Sequence, residues 1–213
     1  MNIKGIIFDL DGVIVFTDHY HYLAWKKIAD EMGIYFDETI NNRLRGVSRM
    51  ESLEIILETY QGAPLSDDEK LALAEKKNNF YRELLRQMSP DSVAPEVRST
   101  LQTLRERGYK LSIGSSSKNT KTILERVGLM DAFDAISDGT NITRSKPDPE
   151  VFLKAAQFLG LEPKDCAVIE DAFAGIDAAC AAGMLSVGIG DASGYDKASC
   201  HIQCFDELLK LFT

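Results

Sequence analysis

Apolar and polar positions change rhythm twice along this chain. Residues 3–8 are almost continuously apolar, the pattern of a strand covered on both faces of a parallel sheet. From position 18 to about 87 the rhythm is helical: Leu23, Trp25, Ile28, Ala29 and Met32 recur at helical spacing, and Gly33 supplies a C-cap. Further helices are predicted over 49–60 and 66–87, the second opened by a capping box of Ser66 and Glu69. No strand is predicted in this stretch.

After "MSPDSVAP" helices and strands alternate. A helix over 95–107 leads to the strand "YKLSIGSS", a helix over 119–127 and the short strand "DAIS". A loop runs to Pro149, then come a helix over 150–159, the strand "CAVIED", a helix over 174–182 and the strand "LSVGIG". Strands separated by helices predict an α/β fold: a doubly wound, Rossmann-like parallel sheet with right-handed crossovers. The helical stretch interrupts this pattern after the first strand. The expected organisation is a catalytic core of residues 1–15 and 88–213, with an α-helical cap domain of residues 16–87 inserted and hinged through two connections.

With 213 residues the chain has room for a core and a smaller partner, and 45% hydrophobic with 27% charged residues is ordinary for a globular protein. A net charge of -9 argues against nucleic acid or an anionic membrane as the main partner. It leaves room for a small phosphorylated substrate in a local cationic pocket. No segment is long and apolar enough to span a bilayer, and "MNIKG" lacks a secretory h-region, so a cytoplasmic protein is expected, with a monomer as the default. Cys166, Cys180, Cys200 and Cys204 form no CxxC pair and read as reduced thiols, with Cys166 and Cys180 inside core elements.

In an open α/β sheet, ligands bind beyond the carboxyl ends of the strands. The first strand ends in Asp9 and Asp11 of "FDLDGV", and the next core strand in "GSSSKN", directly before a helix whose N-terminus suits a phosphate. Lys146 of "SKPDPE" precedes another helix, and "CAVIED" ends in Glu170 and Asp171. Each feature also has a plain structural reading: an Asp-Gly turn, a helix cap, a solvated acidic loop, a helix opening. Their coincidence at one sheet edge favours chemistry. Clustered carboxylates raise one another's pKa unless a cation joins them, and a hard, oxygen-preferring ion such as Mg2+ resolves that repulsion.

"FDLDGV", the serine ending the next core strand, "SKPDP" and "IED" resemble, in order, the four motifs of the haloacid dehalogenase superfamily of phosphotransferases. Within it, "HYHYLAWKKIADEMGI", "LRGVSRMESL", "KKN" and "SSSKN" resemble the β-phosphoglucomutases. The resemblance implies that Asp9 is the nucleophile, becoming an aspartyl phosphate, and that Asp11 is the general acid/base. It implies Mg2+ on Asp9, the backbone carbonyl of Asp11, and Glu170 or Asp171, with Ser115 and Lys146 on the phosphoryl oxygens. The implied reaction interconverts β-D-glucose 1-phosphate and D-glucose 6-phosphate through β-glucose 1,6-bisphosphate, which also serves as activator.

A bisphosphate intermediate needs a second, distal phosphate site. Arg49 suits it, since a guanidinium binds phosphate bidentately, with Ser117, Lys118 and Asn119 completing it. Trp25 and Gly46 resemble contributors to the sugar pocket, and Ser52, Lys77 and Asn78 its polar rim. His21 resembles a histidine coupling substrate binding to Asp11; a partly buried helix histidine and, for Trp25, a core tryptophan are the plainer readings. Two positions depart from the mutase pattern: Phe16 precedes Thr17 where an aspartate is usual, and Arg45 replaces a lysine. The rival readings are a Mg2+-dependent hexose-phosphate phosphatase of the same superfamily and a non-catalytic sugar-phosphate-binding protein.

Overall fold

The opening apolar run becomes β1 (Gly5–Phe8), whose Ile6, Ile7 and Phe8 are wholly shielded from solvent. Burying each such side chain contributes roughly 1.5–3 kcal/mol, which holds this strand at the centre of the sheet. β2 (Lys110–Gly114) and β4 (Cys166–Glu170) flank it, and β3 (Ala135–Ser137), β5 (Leu185–Gly188) and β6 (Cys200–His201) extend the sheet outward. The order is β3-β2-β1-β4-β5-β6, with every pairing parallel.

This computed structural model describes residues 2–44 and 47–213. Gly46 and the Arg45 departure therefore lie outside the described residues. The chain divides into two compact units, Met1–Phe16 with Met88–Thr213, and Thr17–Gln87. Among the described residues no helix is long and apolar enough to cross a membrane.

The sheet-bearing unit also holds α5 (Pro95–Glu106), α6 (Thr120–Val127), α7 (Glu150–Leu159), α8 (Phe173–Ala181) and α9 (Leu208–Leu211). Val151, Phe152, Ala155, Ala156 and Leu159 of α7 pack in one cluster with Ile7, Val168 and the Ala178–Ala179 pair of α8. That packing anchors the first turn of α7 against the strands whose ends carry the acids. Cys180 corrects an expectation: it lies on the exposed side of α8, while Ala178 and Ala179 take the core positions. Cys166 is buried, and burial pushes its thiol up to about 11, as suits an inert core thiol. All four cysteines are free.

The second unit is helical: α1 (Asp18–Glu31), α2 (Glu38–Asn42), α3 (Arg49–Leu57) and α4 (Asp67–Leu85). Ser66 and Glu69 form the expected capping box, and Ser48 with Glu51 forms a second one at α3. Trp25, Ile28 and Ala29 of α1 pack with Leu53 and Ile56 of α3 and Ala74 of α4. Leu23 does not join them and is 37% exposed. Two residues before Trp25, it sits about 200° around the helix, on the opposite face. The unpredicted α2 is too short to show a period and is started by Asp37, whose side chain accepts from the Ile40 amide at 2.9 Å. β6, equally short, also went unpredicted.

Candidate functional site

Strand register gathers the acids. Phe8, the last residue of β1, pairs with Ile113 on one side and Ile169 on the other. The next residues along these strands, Asp9, Gly114–Ser115 and Glu170, therefore emerge at the same carboxyl edge. The chain reverses its direction of sheet growth at β1, whose neighbours are β2 and β4, and such a switch point is where open α/β sheets bind ligands.

At this edge the Nζ of Lys146 lies 2.5 Å from Asp9 Oδ1 and 3.0 Å from Glu170 Oε2. All three residues are buried, and the ammonium also stands 4.8 Å from the centre of the Phe152 ring. Burial alone would push Lys146 down, but the charges and hydrogen bonds of Asp9 and Glu170 outweigh it and hold the ammonium above the ordinary lysine value. Glu170 is moved well up, first by burial and then by Asp9 and Asp171, with Lys146 opposing. Asp171 is raised to about 7 by burial and by the neighbouring Asp9 charge. Among the described residues, one ammonium thus faces three carboxylates. Asp9, Glu170 and Asp171 each offer an oxygen within 4.8 Å of the others. An all-oxygen set with an unneutralised excess of negative charge fits a hard divalent cation such as Mg2+.

Two glycines make room for this cluster. Gly12 has φ +88°, and a Cβ there would sit 2.0 Å from Asp171 Oδ2. Its amide donates to the Val15 carbonyl at 2.7 Å, closing the tight turn that follows Asp11. Gly175, in the first turn of α8, lies where a Cβ would come within 2.0 Å of the Glu170 carboxyl carbon. The Asp-Gly turn and the acidic site are therefore one structure.

The serine loop is built by its own side chains. Buried Ser115 accepts from the Ser117 amide at 3.2 Å, and Ser117 Oγ accepts from the Asn119 amide at 3.2 Å. Asn119 is buried at the start of α6, whereas Lys118 is exposed.

Within the helical unit, Lys77 Nζ lies 2.7 Å from His21 Nδ1. An ammonium only donates, so Nδ1 accepts and the ring proton belongs on Nε2. Burial, then the charges of Lys77 and Arg49, push the imidazole well below 6.5 and keep it neutral. Lys77 also sits 4.9 Å from the centre of the Trp25 ring and 4.8 Å from that of Tyr81. Arg49 donates to Asn78 Oδ1 at 2.9 Å and pairs with Glu75 at 3.5 Å. Ser52 is buried, and Trp25 lies in the apolar cluster of this unit. Phe16 is 74% exposed.

The Asp-Gly turn at Gly12 was legible as a turn, and the structure adds its closeness to Asp171. The residues missed in the sequence are the supports Gly175, Tyr81 and Glu150. Of these three, Glu150 carried a signal, as an acid opening a helix just after the lysine motif.

A model of the haloacid dehalogenase-like hydrolase family matches residues 3–183. The chain is 46% identical over 189 residues to a β-phosphoglucomutase of Bacillus subtilis, covering 88% of this chain and 83% of that one. It is 34% identical to a fructose-1-phosphate phosphatase of Escherichia coli, covering 87% and 95% respectively. Among solved structures, a β-phosphoglucomutase of Clostridium difficile matches with a TM-score of 0.90 and 41% identity, over 97% of this chain and 93% of that one.

Proposed function

The chain belongs to the haloacid dehalogenase-like hydrolase family, and from that premise we propose that it is a β-phosphoglucomutase, an isomerase interconverting β-D-glucose 1-phosphate and D-glucose 6-phosphate. The observation that carries this reading is the likeness to mutases across both units, at 41% identity over 97% of the chain.

In this reading the Asp9 carboxylate attacks phosphorus and becomes an aspartyl phosphate, while Asp11 gives its proton to the departing sugar oxygen. Lys146 and Ser115 hold the phosphoryl oxygens; the ammonium already beside Asp9 Oδ1 fits that task. Asp9, Glu170, Asp171 and the Asp11 carbonyl would hold Mg2+, which would neutralise charge on the transferring group. The incoming β-glucose 1-phosphate presents its 6-hydroxyl to the aspartyl phosphate, Asp11 takes that proton, and the phosphoryl group passes from Asp9 to O6. Asp9 then attacks the C1 phosphoryl group of the resulting bisphosphate, releasing glucose 6-phosphate and restoring the aspartyl phosphate. The bisphosphate formed between the two transfers carries two anionic ends, and Arg49 is the proposed ligand for the distal one. Conversion of β-glucose 1-phosphate, with the α-anomer inert, tests the assignment.

The Escherichia coli relative supports a second reading. The same aspartyl phosphate attacked by water instead of a sugar hydroxyl would make the protein a sugar phosphatase.

A further inference from the structure

We propose that Glu150 is a positioning residue that fixes the loop carrying Lys146, and through it the place of the Lys146 ammonium beside Asp9. The inference rests on the reading that Lys146 binds the transferring phosphoryl group.

Glu150 is the first residue of α7, and its carboxylate turns back over the preceding loop. Its Oε2 accepts from the Thr143 amide at 3.0 Å, the Thr143 hydroxyl at 2.9 Å and the Arg144 amide at 2.8 Å. Its Oε1 pairs with Lys154 at 2.9 Å, and Lys154 also donates to the Asn141 carbonyl. On the other side of Lys146, Asp148 accepts from the Glu150 amide at 3.0 Å and pairs with Arg144 at 3.0 Å. Both flanks of Lys146 are thus tied to the first turn of one helix. That turn is held in the core for a separate reason: Val151 and Phe152 are completely buried there. The support runs from the packed core, through Glu150, to residues two and three before Lys146.

An acid in the first turn of a helix is usually there for the helix dipole, and then any solvated carboxylate serves. Here one oxygen collects three donors and the side chain is only 14% exposed. Lys154 first, then the Arg144 and Thr143 amides, hold the carboxyl down at about 2, so it stays an acceptor throughout the neutral range. Lys146 bridges two carboxylates within normal hydrogen-bond limits. A shift of its backbone by an ångström would lose one of them, and misplacement on that scale costs on the order of a hundredfold in rate.

The test compares Glu150→Ala and Glu150→Gln with the unaltered protein in kcat and KM on β-glucose 1-phosphate, inorganic phosphate affinity with Mg2+, and melting temperature. Glu150→Ala is expected to lower kcat about 10–100-fold, with KM changed far less and phosphate binding weakened in step. Glu150→Gln keeps one carbonyl oxygen for Thr143 and Arg144 and is expected to restore most of both losses. Melting temperatures should stay close together. Unchanged kcat and phosphate affinity in Glu150→Ala overturns the proposal. Equal impairment of both variants, in proportion to lost melting temperature, also overturns it by reducing Glu150 to a fold-stabilising residue. If the unaltered protein converts no β-glucose 1-phosphate, the mutase reading falls and the phosphate comparison alone decides for Glu150. Absence of phosphate binding to the unaltered protein would overturn the inference at its root.

Discussion

Lys146 Nζ stands 2.5 Å from Oδ1 of Asp9, so a buried ammonium touches the carboxylate assigned to attack phosphorus. The same ammonium reaches Glu170, and removing it takes away the cation that pairs with two members of a buried cluster of acids. Lys146→Met should therefore lower stability toward urea by up to about 3–5 kcal/mol in a chelating buffer. Added Mg2+ should recover much of the deficit. Equal stability of the two proteins in chelator would show that the cluster carries no such charge imbalance.

Gly175 faces Glu170 so closely that any side chain must displace the carboxylate. Gly175→Ala should weaken Mg2+ binding, followed calorimetrically, by about 10–100-fold, the usual cost of disturbing a group that orients a metal ligand. Unaltered Mg2+ affinity would remove Glu170 from the proposed ligand set.

Under the proposed mutase reading, Arg49 as the distal phosphate ligand is what separates a mutase from a phosphatase. Losing charge-assisted hydrogen bonds to a phosphate end should cut mutase turnover of Arg49→Ala by about 10–150-fold. Formation of the phosphoenzyme from a small phosphodonor such as acetyl phosphate should persist, since that donor has no distal phosphate. Turnover equal to that of the unaltered protein would contradict the distal role.

His21 sets a pH dependence of stability. Its folded-state pKa lies well below 6.5, so below pH 6.5 the unfolded chain binds the extra proton. Stability then rises with pH toward neutrality and is lost as pH falls through 6.5, at most about 1.4 kcal/mol per pH unit for one proton. Urea unfolding of the unaltered protein and of His21→Asn between neutral and mildly acidic pH, with Mg2+ saturating, isolates this slope. Identical slopes would mean the imidazole is not held neutral.

Much of the sheet was legible because a parallel strand covered on both faces leaves an apolar run such as "GIIF" or "CAVIE", and each ends at a polar residue. Asp9, Glu170 and Asp171 were legible together for that reason, and Lys146 because its motif directly precedes a helix start. The five-residue α2 and two-residue β6 were not, because neither is long enough to display a period. Leu23 and Cys180 were misplaced because composition marks a residue as apolar without saying which side of its helix it takes. The supports escaped for a different reason. Gly175 matters through the space it leaves Glu170, and Glu150 through amides six and seven residues away, relationships that exist only once the chain is folded.

The central claim is tested most directly by incubating the protein with Mg2+, β-glucose 1-phosphate and a trace of glucose 1,6-bisphosphate while glucose 6-phosphate and free phosphate are followed together. The account predicts glucose 6-phosphate with little free phosphate, and no turnover of the α-anomer. Free phosphate as the main product would contradict it and make the protein a sugar phosphatase.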